Sequence, residues 1–147
     1  MNALRKFFSL THTERVLALK CYALVWIVRL SLWLIPFRLL QKALKWFTPK
    51  KTVSNNSDPQ HAELIVRLVK SASNYVPRAT CLTQALSARL LLLRAGYDAE
   101  LRLGVMKDEH QNFQAHAWIE SEGRVLIGDN NQLTKYTPLP AASSDML

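Results

Sequence analysis

From Glu14 to Ile35 the chain is apolar on almost every side of a helix: Val16, Leu17, Leu19, Tyr22, Leu24, Val25, Trp26, Ile27, Leu30, Leu32, Trp33, Leu34 and Ile35, interrupted only by Lys20 and Arg29. Pro36 ends or kinks that helix, because its ring removes a donor and clashes with the preceding turn. The uncharged runs flanking Arg29, Cys21–Val28 and Leu30–Phe37, are each short of the roughly 20 apolar residues a membrane span needs. No small-residue cleavage site follows, so the pattern is not that of a secretory signal. A second helix is expected from about Phe37 to Phe47, with Arg38, Lys42 and Lys45 on one face at separations of three and four. Between Pro49 and Pro59 there is almost nothing to bury, as in a linker. The organisation expected is a helical hairpin over 1–50, a linker over 51–58 and a second unit over 59–147.

In that second unit Asp58 can cap a helix with Pro59 at its first position and Glu63 near its positive end. Ala62, Ile65, Val66, Leu68 and Val69 give it an apolar stripe to about Ser73. Pro77 breaks the chain. A new helix opens at Cys81, carries Leu86, Leu90, Leu91 and Leu93, and stops at Gly96. The period then switches to alternation, with Leu101, Leu103 and Val105 on one strand face. Runs at 115–121 and 124–128 make two more strands around a turn at Ser121-Glu122-Gly123-Arg124. The tail from Thr134 is irregular and can pack back. The fold class expected is α+β, helices followed by a small antiparallel sheet.

Composition supports a core, with 49% of the 147 residues hydrophobic and 20% charged. Charge separates the two units. Residues 1–51 hold ten Lys/Arg and one acid, whereas residues 52–147 hold nine Lys/Arg and ten acids. A nucleic-acid enzyme would put its positive charge around the working groove, so no nucleic-acid partner is expected. The basic segment suits a membrane surface, an acidic partner or an acidic peptide. Three readings of the hairpin therefore stay open: packing on its own domain, docking to a partner protein, and interfacial attachment to a membrane. Two distant cysteines, Cys21 and Cys81, make no disulfide framework, which suits a reducing, cytoplasmic setting. There is no zinc spacing and no Gly-rich phosphate loop, so no metal or cofactor is expected.

Cys81 is the candidate nucleophile. With Thr80 as N-cap it is the first helical residue, where free N–H groups and the helix dipole favour negative charge. The same N–H groups can hold an oxyanion formed on a carbonyl. The plain alternative is a cysteine packed as a small hydrophobe, which is the reading preferred for Cys21. His116 lies in the strand Ala115-His116-Ala117-Trp118-Ile119, and Asp129 ends the next. A two-residue loop at Glu122-Gly123 sets His116 opposite Asp129, where a carboxylate can orient the imidazole; a bulge would make the pair diagonal. The alternative is a polar pair on a half-exposed sheet face. Glu120 and Glu122 are rival acids, Trp118 either walls the site or belongs to the core, and His110 sits in a polar loop.

The segments Thr80–Leu86, Leu93–Val105, Ala115–Glu120 and Gly123–Asp129, together with Trp33-Leu34-Ile35-Pro36-Phe37-Arg38, resemble the lasso-peptide leader peptidases, transglutaminase-like cysteine proteases of bacterial ribosomal-peptide biosynthesis. The resemblance implies a papain/transglutaminase-like fold with Cys81 as nucleophile, His116 as general base and Asp129 as orienting acid. It implies removal of the leader from a precursor peptide, with the freed amine passed to a separate ATP-dependent lasso cyclase. The family commonly recognises the leader through a small winged-helix domain. Residues 1–50 carry no strand pattern, so that domain is expected as a separate polypeptide, with the basic hairpin a candidate docking surface. Two readings stand beside hydrolysis: transglutaminase-like amide transfer, and a non-catalytic peptide-binding scaffold of the same fold.

Overall fold

A computed structural model describes residues 11–36, 39, 42, 46 and 58–139. Helix α1 runs over His12–Leu34. Thr11 and Glu14 close a capping box at its start: Thr11 Oγ1 accepts from Glu14 N, and the Glu14 carboxylate accepts from Thr11 N at 2.8 Å. Its end falls at Ile35, one residue before Pro36, as the proline requires. The helix expected over Phe37–Phe47 and the linker lie largely outside the described residues; Leu39, Lys42 and Trp46 are helical.

Helix α2 spans Pro59–Ser73, with the Asp58 carboxylate accepting from Gln60 N at 3.0 Å. Helix α3 spans Cys81–Arg94 with Thr80 as N-cap. It closes on the bonds Gly96 N to Leu93 O and Tyr97 N to Leu92 O, the paired pattern of a Schellman end. Tyr97 then ties the α3 exit to the start of α2 by donating its hydroxyl to Asp58 O at 2.8 Å.

Strands β1 (Glu100–Lys107), β2 (Phe113–Ser121), β3 (Arg124–Ile127) and β4 (Thr137–Pro138) form one antiparallel sheet in the order β3-β2-β1-β4. The tail does pack back: β4 pairs with β1, and Leu139 N donates to Leu103 O. Pro138 is tolerated there because β4 is an edge strand. The arrangement is α+β, as the hydrophobic pattern predicts.

The pleat gives the sheet two distinct faces. Leu101, Ala117, Ile119 and Ile127 turn to the helices and share one core with Ile65 and Val69 of α2 and Ala85, Leu86 and Leu92 of α3. Cys21, Val25 and Val28, spaced four and three apart on α1, enter the same core. The first helix is thus docked along one stripe. Its other sides leave Leu19, Ile27, Trp33 and Leu34 in solvent.

Candidate active site

Cys81 stands where the sequence puts it, at the first position of α3. Thr80 Oγ1 accepts from Thr83 N at 3.4 Å and shares a 3.2 Å hydrogen bond with the Thr83 hydroxyl. Thr83 is completely buried, so this cap fixes the first turn from inside. Cys81 itself is half-buried against the core edge, and its backbone N–H is one of the donors a helix start leaves free. The approach to it is sharply bent, with Arg78 at φ 57° after Pro77. Arg29 of α1 donates from Nε to Pro77 O at 3.4 Å, so the first helix touches the loop that delivers the cysteine.

His116 sits opposite Gly104 on β1. Its face of the sheet is the one turned away from the helices, shared with Trp118 and Glu120. The ring stacks on Trp118 at 6.2 Å between centroids and meets Tyr136 at 5.4 Å. Gly104 makes room for this cluster: a Cβ there would lie 2.9 Å from Tyr136 Cβ and 3.0 Å from the Trp118 ring. Trp118 is therefore both wall and core, buried yet in contact with His116. Glu120 is fully engaged elsewhere. Trp118 Nε1 donates to one of its oxygens at 2.7 Å and Arg102 Nε to the other at 3.2 Å.

The group that holds His116 is a backbone carbonyl. His116 Nε2 and Gly128 O are 2.6 Å apart. A carbonyl only accepts, so Nε2 carries a proton, and in the neutral ring the lone pair that can take a proton from a thiol is then on Nδ1. This is the tautomer a general base facing a cysteine through Nδ1 needs.

Asp129 does not meet His116. Its carboxylate accepts from Asn131 N at 2.9 Å, closing a local turn in an exposed loop. The hairpin tip matches the expectation, since Glu122 and Gly123 have φ of 49° and 76°, the signature of a two-residue type I′ loop. The pairs Ser121–Arg124 and Glu120–Val125 follow its register. A shift between Glu120 and Ile119 then pairs Ile119 with Ile127, which leaves Leu126 as the extra residue of a bulge. Strand β3 ends there, and Gly128 turns away at φ 92°. Past the bulge the register would set Asn130, not Asp129, across from His116, but β3 has already ended; Gly128, turning at φ 92°, presents its carbonyl to the ring instead.

Cys81 and His116 belong to elements packed on each other, α3 and β2. Among the described residues no hydrogen bond joins Cys81 to His116 or His116 to Asp129. The Cys21 thiol is pushed up to about 11 by burial, which suits a core residue and not a nucleophile. His110 lies in the exposed turn after β1, where the Asp108 carboxylate accepts from its N–H. A groove between α2 and β3, lined by Glu63, Val66, Arg67, Lys70 and Leu126, includes none of the three candidate residues. No group of three or more His, Cys, Asp or Glu side chains able to hold a metal occurs among the described residues. Sequence reasoning passed over the Gly128 carbonyl, although a glycine just after a strand run signals a close backbone approach.

A cysteine at a capped helix start, a histidine on an adjoining sheet and an α+β topology define the class of papain- and transglutaminase-type folds. The chain belongs to the Transglutaminase-like superfamily, which it matches over residues 31–141. No curated protein matches it. No solved structure matches it either. The matched region begins inside α1, so the family likeness takes in the end of the first helix as well as the sheet.

Proposed function

We propose that this protein is a cysteine peptidase that removes the leader from a ribosomally made lasso-peptide precursor. What supports the chemistry is a Thr80-capped Cys81 at the start of α3 and, on a strand of the sheet packed against that helix, a His116 whose Nε2 lies 2.6 Å from Gly128 O. Superfamily membership supports a cysteine enzyme, and the motif resemblance over Cys81, His116-Ala117-Trp118 and Gly128-Asp129 supports the substrate.

In this reading Cys81 Sγ attacks the scissile carbonyl carbon while His116 Nδ1 takes the thiol proton. The oxyanion lies against the free N–H groups at the start of α3. His116 returns the proton to the leaving amine, which departs as the free N-terminus of the core peptide. Water then hydrolyses the thioester and restores the thiol. Asp129 is the acid we assign to steady the imidazolium through its negative charge. The reaction needs Cys81 Sγ and His116 Nδ1 to come together when the peptide binds, because the ring sits on the sheet face turned away from the helices. A separate winged-helix protein presents the leader, and a separate ATP-dependent cyclase consumes the amine; both are partners in this proposal.

The test is cleavage of a synthetic leader–core peptide by the purified chain, with and without the recognition protein, followed by mass spectrometry. The expected products are two fragments whose masses add to the precursor plus one water. Cys81→Ala and His116→Ala should each abolish them. A fragment joined to an added amine would assign amide transfer instead. Unchanged cleavage by Cys81→Ala would remove Cys81 from the reaction, and a folded wild type inert with every partner present would leave the scaffold reading standing.

A further inference from the structure

The surface that the peptidase reading leaves unused is the outer side of α1. Its buried stripe, Cys21, Val25 and Val28, covers a narrow arc. Across the helix from it, Val16, Leu19, Ile27, Leu30, Trp33 and Leu34 are exposed, with Trp33 74% accessible. The helix has a mean hydropathy of 1.7 over its most apolar 18-residue window, yet only 17% of that window is buried. A core helix with this composition would be covered. The 23 residues extend about 34 Å at roughly 1.5 Å each, so the apolar strip is long.

Charge selects the occupant. Residues 1–51 carry ten Lys/Arg against one acid, and Lys20 is exposed on the margin of the strip. A second copy would bring two such basic segments together. A bilayer rich in anionic lipid supplies an apolar phase and negative charge at once, over an area a small protein groove does not offer. Exposed Leu39 and Trp46, just beyond Pro36, add apolar and indole surface of the kind that settles at headgroup depth. The stripe committed to α2 and α3 keeps α1 from leaving the domain to span a membrane. We infer that α1 is an interfacial helix that seats the protein on an anionic membrane surface, with its outer apolar strip in the acyl boundary and its basic margin at the headgroups.

The experiment uses the full chain with large vesicles of phosphatidylcholine alone or with phosphatidylglycerol added. Co-sedimentation and tryptophan emission are read together, because Trp33 and Trp46 are exposed and Trp118 is buried. Binding with a blue shift on the anionic vesicles only, weakened by salt, is the expected result. Lys20→Glu reverses a marginal charge without touching the core and should weaken binding by about tenfold, two unit charges at roughly 1 kcal/mol each being at least that factor. Ile27→Glu with Leu30→Glu, checked for intact far-UV circular dichroism, should abolish it. The inference is overturned by equal indifference to both vesicle types. It is also overturned by a dimer that the Ile27/Leu30 variant dissociates, by saturable binding of a purified recognition protein to this strip that vesicles do not displace, or by membrane attachment that resists high salt and alkaline carbonate, the mark of a spanning segment. None of these readouts depends on peptidase activity.

Discussion

At the scale of single residues the site turns on Gly128. Its φ of 92° is unfavourable for any other residue, and a Cβ would lie 2.7 Å from Trp118 Cβ and 2.8 Å from Ala117 O. Both contacts are with the strand that carries His116, so no flexible side-chain end can yield. Gly128→Ala must push the carbonyl off His116 Nε2, and we expect it to cost on the order of 2 kcal/mol of stability from strain alone and to lower cleavage sharply. Thermal unfolding and the peptide assay check the two effects. Asp129 separates in a different way. Asn at this position can still accept from Asn131 N, so Asp129→Asn removes the charge and keeps the turn, whereas Asp129→Ala removes both. A loss of turnover in Asp129→Asn with an unchanged melting temperature assigns the carboxylate to chemistry. Equal turnover for wild type and Asp129→Asn, with Asp129→Ala less stable, assigns it to the turn.

At the scale of elements, the helix starts were legible and the strand register was not. Asp58-Pro59 and Thr80-Cys81 announce helix starts through side chains that act within three residues, and both caps form. The turn at Glu122-Gly123 is equally local. The register beyond it is not, because Val125, Leu126 and Ile127 are all apolar. A period of two cannot then say which of them faces the helices, and a one-residue bulge changes nothing in the pattern. Beyond the bulge the ladder no longer sets Asp129 across from His116, and the Gly128 carbonyl, outside the strand, meets the ring. The fourth strand was hidden for a related reason: its two residues include a proline, and only the edge of β1 makes them a strand. The capped start of α3 yields its own prediction. Thr80→Ala should lower stability by about 1 kcal/mol in urea unfolding, and Thr80→Ser should restore most of it. If Thr80→Ala unfolds at the wild-type midpoint, the Thr80–Thr83 bonds do not set the first turn that carries Cys81.

At the scale of the molecule, the question is whether α1 belongs to the folding unit or merely rests on it. The stripe of Cys21, Val25 and Val28 is continuous with the core under the sheet, which argues for one cooperative unit. Cys21 reports on this through pH. Burial lifts its thiol from an ordinary 9.0 to about 11, and its side chain is wholly inaccessible in the folded chain. The charged thiolate is thus disfavoured by folding. The stabilisation is complete below pH 9 and is lost as pH rises from 9 through 11, because the unfolded chain ionises first. The full difference is on the order of 2 kcal/mol. Cys21→Ala should be somewhat less stable at neutral pH through lost packing, but its stability should fall less steeply than that of wild type above pH 9. Lysines and tyrosines titrate in both proteins, so the difference between the two curves isolates Cys21. The decisive reading is where the difference is felt. In one cooperative unit, amide exchange at Ile119, in the sheet, must register the Cys21 substitution as fully as exchange within α1. Protection of Ile119 that ignores Cys21 would mean that α1 undocks alone while the Cys81–His116 half stays folded.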